Sequence, residues 1–240
     1  MSHLLKIIFV VLLAGFGSLA QAESILVIGD SLSCGPFGKY LLQDLSKPGN
    51  KVTLYCAVSS APDNWVKGTN PSGQQCKTMT TANPVLQLCG GNGKVPTLAS
   101  LLAANSGSRV IVGLGTNSLL NAKVDNSYHA MVKAIKASGS QCDWIAPPHL
   151  HASQAKGFPP SRIATEEKNL NGFYESLAQT VEGHCNFVDS RDATASGTPG
   201  NETVDGVHRN ESAGKYWADS IQNTLINSSS PSAAGGKNVR

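Results

Sequence analysis

Short apolar runs alternate with helical stripes along most of this chain, and that alternation limits the possible fold more than any other feature. The runs are Ile25 to Ile28, Val52 to Val58, Val110 to Leu114, Trp144 to Ala146 and Phe187 to Val188. They are too short for helices and do not strictly alternate with polar residues, as suits strands covered on both faces in a parallel sheet. Between them, Tyr40, Leu41, Leu42 and Leu45 mark one apolar stripe, Leu98, Leu101 and Leu102 a second, and Met131 with Ile135 a third. Leu170, Phe173, Leu177 and Val181 make a fourth at helical spacing, and Tyr216, Trp217, Ile221 and Leu225 a last. This order predicts an α/β fold with a central parallel sheet and right-handed crossovers. In such sheets ligands sit outside the carboxyl ends of the strands, so a chemically active residue should closely follow a strand run. One stretch, Ser59 to Val95, breaks the alternation and reads as a long loop at the site edge, either a substrate-shaping lid or a stapled surface loop.

The first 22 residues, MSHLLKIIFVVLLAGFGSLAQA, have the basic start, apolar run and small-residue ending of a secretory signal peptide, with cleavage expected after Ala22. The run from Ile7 to Ala20 is broken by Gly15, Gly17 and Ser18 and falls short of the about 20 apolar residues that cross a bilayer, so no stable membrane anchor is expected. Residues 23–226 read as one domain, and residues 227–240, rich in Ser and Gly, as a disordered tail. Without the leader the chain keeps 18 basic against 16 acidic residues, with no basic stripe, which argues against nucleic acid as a partner. A periplasmic or secreted monomer with one site is the expectation.

Six cysteines, Cys34, Cys56, Cys76, Cys89, Cys142 and Cys185, follow the leader, and none form a C-x-x-C pair, which weakens zinc and thioredoxin readings. In an oxidising compartment an even count reads as disulfides, and the strand layout suggests pairing 34 with 56, 76 with 89, and 142 with 185. Buried free thiols are the other reading.

Three segments carry chemistry. The first strand runs into Gly29-Asp30-Ser31-Leu32 ahead of a helix beginning near Pro36, which puts Ser31 at the sheet edge near a helix amino end. Gly, Asp and Ser also suit such a turn for conformational reasons alone. Near the other end, Asp205-Gly206-Val207-His208 spaces a carboxylate and an imidazole so that they can meet, either as the base and orienting acid of a nucleophilic serine or as turn and cap residues. After the third strand comes Gly113-Leu114-Gly115-Thr116-Asn117-Ser118, in which Ser118 leaves G-x-G-x-x-G incomplete and no P-loop lysine follows, so no cofactor is expected. Asn117 is placed there to give an N–H to an oxyanion. His149 and His151 form an H-x-H pair with no acidic or cysteine neighbour in sequence, so no metal is expected.

Gly-Asp-Ser-Leu near the start, Gly-x-Asn in the middle and Asp-x-x-His near the end together resemble the SGNH or GDSL hydrolase family, over about Ser24 to Leu225. The resemblance implies a flavodoxin-like three-layer α/β/α sandwich. It implies Ser31 as nucleophile, His208 as base, Asp205 as orienting acid, and an oxyanion hole from the N–H of Ser31, a backbone N–H after the second strand and the side chain of Asn117. The family usually has glycine in the second-strand position, whereas this chain reads Ala57-Val58-Ser59-Ser60-Ala61-Pro62, so Ser60 or Ser59 is expected to serve there. It also often has Asp where this chain has Ser118.

The implied activity is ester hydrolysis through an acyl-enzyme, with an O-acetylated carbohydrate or cell-wall glycan as the expected substrate and Trp65 as either a sugar platform or a packing residue. A lipid-directed esterase or thioesterase is the second reading. A non-catalytic glycan-binding module on the same fold is the third.

Overall fold

The computed structural model describes residues 22–47 and 49–228. The expected leader, apart from Ala22, lies outside the described residues, as does the tail from residue 229 onward.

Seven strands form one sheet: β1 (Ser24–Gly29), β2 (Lys51–Ala57), β3 (Cys76–Thr80), β4 (Gln87–Leu88), β5 (Arg109–Gly113), β6 (Cys142–Ile145) and β7 (Asn186–Val188). Their order is β4-β3-β2-β1-β5-β6-β7. The strands that contain the five apolar runs are mutually parallel, and β1 is central among them, paired with β2 on one edge and β5 on the other. Ile25 to Gly29 are all buried because helices cover both faces. Each Ile, Leu or Val so enclosed contributes about 2 kcal/mol, so β1 is the hydrophobic axis of the molecule.

The helices are α1 (Pro36–Ser46), α2 (Pro62–Lys67), α3 (Leu98–Ala104), α4 (Asn126–Ala137), α5 (Pro160–Val181), α6 (Arg191–Thr194) and α7 (Glu211–Ser228). One layer is α1 packed on α7, and the other has α4 against α2, α3 and α5, which makes the three-layer sandwich. The first pair is unusually close. Phe37 stacks on Trp217 with ring centroids 3.6 Å apart, and a Cβ on Gly214 would meet Pro36 Cβ at 2.7 Å. All three tryptophans are buried, and each indole N–H is satisfied: Trp65 by Ser60 Oγ, Trp144 by the Leu114 carbonyl, Trp217 by Ser190 Oγ.

The stretch Ser59 to Val95 departs from the expected long loop. It holds α2 and an antiparallel extension of the sheet, β3 on β2 and β4 on β3. Only Cys76 and Met79 of β3 are buried, so the strand has one weak apolar face and a Thr-rich exterior, which hid it among turn-forming residues. The segment builds a sheet edge, stapled by Cys76–Cys89.

The disulfides are Cys34–Cys56, Cys76–Cys89 and Cys142–Cys185, the pairs that the strand layout suggests. The first ties the turn after β1 to β2, the second closes the β3–β4 extension, and the third joins β6 to the residue before β7. Three such bonds fit an extracellular or periplasmic protein. Among the described residues no helix is long and apolar enough to cross a membrane.

Cys34 and Cys56 are 22 residues apart, a loop whose closure removes about 3 kcal/mol of unfolded-state entropy. Replacing both with serine should therefore lower the unfolding free energy by about 3 kcal/mol, read from urea unfolding with the slope fitted for each protein, while circular dichroism of the folded state stays unchanged.

Candidate active site

β1 ends at Gly29, where a Cβ would sit 1.9 Å from Ser33 Oγ, so only glycine lets the chain fold back at once. Asp30 Oδ1 then accepts the N–H of Leu32 at 2.9 Å, and the Cys34 N–H reaches the Asp30 carbonyl at 3.2 Å. This tight turn presents Ser31, half-buried, above the sheet edge. Pro36 takes the first helical turn as expected, but the turn itself, and not the helix terminus, holds the serine.

The second segment forms a turn around its own carboxylate. Asp205 Oδ1 accepts the backbone N–H groups of Val207 at 3.0 Å and His208 at 2.8 Å, while Oδ2 lies 2.7 Å from His208 Nδ1. Gly206 has φ +92°, and a Cβ there would strike Ile163 Cδ1 at 2.7 Å and the His151 carbonyl at 2.9 Å, so the Gly between Asp and His is obligatory. The turn is held from outside by the segment after β6: the His151 N–H donates to the Gly206 carbonyl and the Lys156 N–H to the Asp205 carbonyl. Arg209 adds bonds to the carbonyls of Val207 and His149. So fixed, His208 places Nε2 2.9 Å from Ser31 Oγ across 177 residues of chain. Burial raises the Asp205 pKa, but the bonds from His208 and Val207 outweigh it and hold the carboxyl below its usual range.

Asn117 follows β5 in a short 3₁₀ turn and is exposed at the same edge. One of its amide hydrogens goes to the Ser60 carbonyl at 3.0 Å, leaving the other for a ligand. Ser118, the departure from the family pattern, accepts the Tyr128 hydroxyl at 2.8 Å, and that bond steadies the turn. Ser60 does not fill its expected place. Its N–H turns back to the Ala57 carbonyl at 3.2 Å, and its buried hydroxyl accepts the Trp65 indole N–H and donates to the Gly29 carbonyl at 3.4 Å. It supports Asn117 and the end of β1. The exposed neighbour Ser59 has φ +62°, so the chain reverses sharply here. Trp65 is fully buried, which removes it as a sugar platform.

No family model and no curated protein matches the sequence. Solved structures do. A DUF4886 family protein from Bacteroides uniformis aligns over 86% of this chain and 82% of its own at 14% identity and TM-score 0.60. A GDSL-like lipase from Bacteroides thetaiotaomicron aligns over 85% and 88% at 11% identity and TM-score 0.56. A carbohydrate esterase family 3 structure from Talaromyces cellulolyticus aligns over 85% and 97% at 15% identity and TM-score 0.52. The chain has the SGNH/GDSL hydrolase fold. In this SGNH frame the residues that meet at the sheet edge come from β1, β5 and the loop before α7.

Several neighbours of the site were invisible in the sequence. His149 does have a carboxylate partner: its Nδ1 lies 2.5 Å from Glu167 Oε1, whose other oxygen accepts the Leu150 N–H at 2.7 Å. No periodicity marks Glu167, and 18 residues separate the pair. Among the described residues no group of three His, Cys, Asp or Glu side chains is arranged to hold a metal ion. Phe158 lies with its ring 6.3 Å from that of His208, and the Arg162 guanidinium lies over the Phe158 ring at 5.9 Å. Its loop, Gly157-Phe158-Pro159-Pro160, leads into α5.

Because the folded state lowers the Asp205 pKa, its contribution to stability is complete above the unfolded value of about 3.9 and disappears as pH falls through the lower folded value. Asp205→Asn should therefore be less stable than wild type at pH 6 and approach it at pH 2, measured by urea unfolding across that range.

Proposed function

We propose that this protein is an exported serine ester hydrolase that works through an acyl-enzyme on Ser31. The observation that carries this reading is the unbroken chain from Ser31 Oγ to His208 Nε2 at 2.9 Å and from His208 Nδ1 to Asp205 Oδ2 at 2.7 Å. A serine hydroxyl becomes a useful nucleophile when a base within hydrogen-bond reach takes its proton and a third group fixes the base's tautomer. Here Asp205 holds Nδ1–H, so Nε2 carries the lone pair. As Oγ bonds to the ester carbonyl carbon, its proton passes to Nε2 and the carbonyl oxygen becomes an oxyanion held by Asn117 and the Ser31 N–H. Collapse breaks the bond to the alcohol, which leaves with the proton from His208. Water, deprotonated by His208, then releases the acid and restores Ser31.

The leaving alcohol must lie beside His208, because that residue protonates it. Phe158 is the aromatic wall at that position, a surface suited to a ring-shaped polar carrier such as a sugar. On the Ser31 side, a small depression with a cavity volume of about 10 Å³ is lined by Leu32, Gly35, Pro36, Phe37 and Arg209. Room for about one water-sized group favours a short acyl group. We therefore assign the substrate as a short-chain, most simply acetyl, ester of a carbohydrate or cell-wall glycan. Similar folds bear names as different as lipase and carbohydrate esterase, so this assignment rests on the pocket and on Phe158.

Ser31→Ala should lower kcat on an acetyl ester by at least about 1,000-fold and abolish labelling by a fluorophosphonate probe, with the fold retained. Wild type should hydrolyse acetyl esters faster than octanoyl or longer ones. Unchanged hydrolysis in the variant would refute the mechanism, and a long-chain preference would refute the substrate.

A further inference from the structure

The mechanism above leaves one acidic group at the site unused. Asp30 stands between Gly29 and the nucleophile and is 1% exposed. One carboxylate oxygen accepts the Leu32 N–H, but the other, Oδ2, is buried without any hydrogen-bond partner. A turn of this shape needs only one acceptor, which a buried Asn or Ser would supply without an orphaned anionic oxygen. Burying such an oxygen is costly. Burial accordingly pushes the Asp30 carboxyl up to about 7, opposed by the Leu32 N–H, His208 and the Thr116 hydroxyl. Two titratable groups share these surroundings: His208 from the loop before α7, and Tyr128 from α4. Burial raises the Tyr128 phenol further, so it stays protonated, and Asp205 behind His208 stays ionised.

We propose that Asp30 is a positioning residue for charge: its ionised carboxylate beneath the Ser31 turn stabilises the imidazolium that forms when His208 takes the serine proton. This rests on the proposed roles of Ser31 and His208. Asp30 and Asp205 then act on the same ring, Asp205 by a direct bond to Nδ1 and Asp30 through the field across the buried turn. The burden falls on folding. A carboxyl whose folded pKa is raised has its stability contribution intact below the unfolded value and loses it as pH rises through the folded one. Asp30 therefore destabilises the chain progressively from about pH 4 to about pH 7, where its charge becomes useful.

The test is Asp30→Asn in the full chain, with Asp30→Ser as a second variant that keeps an acceptor for the Leu32 N–H. In both, the His208 ring titration followed by NMR should move down by about half a unit to one unit, and the acid limb of kcat/KM on an acetyl ester should move with it. The plateau kcat should fall about tenfold, the equivalent of one unit of lost imidazolium stabilisation. Thermal midpoints at pH 8 should rise by about 3 °C or more over wild type, with a smaller difference at pH 5. A residue that merely shaped the turn would lower stability and leave the His208 titration where it was, and that outcome would overturn the proposal. The ring titration needs no turnover. A wild-type chain that hydrolyses no acyl ester would thus refute the proposed function, whereas an unmoved titration in an active enzyme would refute the role of Asp30 alone.

Discussion

β1 is hydrogen-bonded to β2 on one edge and to β5 on the other, and its last five residues are buried. Because both pairings are parallel, the carboxyl ends of all three strands finish together, with Gly29 in register with Cys56 and Gly113. Ser31 is two residues beyond that line, while Ser60 and Asn117 are each four residues beyond it. The meeting of these residues is therefore a consequence of strand register before any side chain is considered. Slipping one strand by a residue would bring the wrong residue to the edge and exchange the side chains packed on the two faces of the sheet.

The Asp205–His208 turn has no strand beneath it, and its position depends on a different mechanism. Backbone bonds from His151 and Lys156 and the buried Arg209 tie it to the segment after β6. Thr203 and Gln154 extend the same contact, with the Thr203 hydroxyl also accepting the Gly206 N–H at 2.8 Å. Imidazole placement is thus referred back to the sheet through β6. The loop carrying His208 is precise because its polar backbone groups are spent on a neighbouring loop, leaving few to compete for water.

The apolar runs and the three motifs were legible in the sequence because each is a local signal: a buried strand needs consecutive β-formers, and a sharp turn needs Gly beside Asp or Ser. The strand layout suggested the disulfide pairs without deciding among the possible pairings, and Cys76–Cys89 was suggested as the staple of a loop, not as part of the sheet extension that it closes. What was hidden depends on long-range packing. β3 shows the core only Cys76 and Met79, so its sequence looks like loop. The Ser60 N–H looked available because a one-dimensional pattern cannot show that the chain reverses at Ser59 and sends that group back to Ala57. Glu167 and Phe158 came to the site only because α5 and its entry loop pack along it, which no motif encodes.

Unsatisfied buried polar atoms are not scattered evenly. Of the five found among the described residues, Asp30 Oδ2, His151 Nε2 and Arg209 Nε belong to the turns that carry Ser31 and His208 or to the segment that clamps them. Desolvation lowers the Arg209 pKa to about 10, and burial and Arg209 together lower that of His151. Natural folds leave few such groups because each costs about 1–3 kcal/mol. Selection for stability alone would replace them with apolar or paired residues. Their concentration at this sheet edge instead fits an environment built to act on charge: a buried cation and a buried carboxyl placed near the imidazole that changes protonation in the proposed mechanism. The stability that offsets them comes from β1 and its neighbours, so the hydrophobic axis that aligns the site also sustains its electrostatic cost.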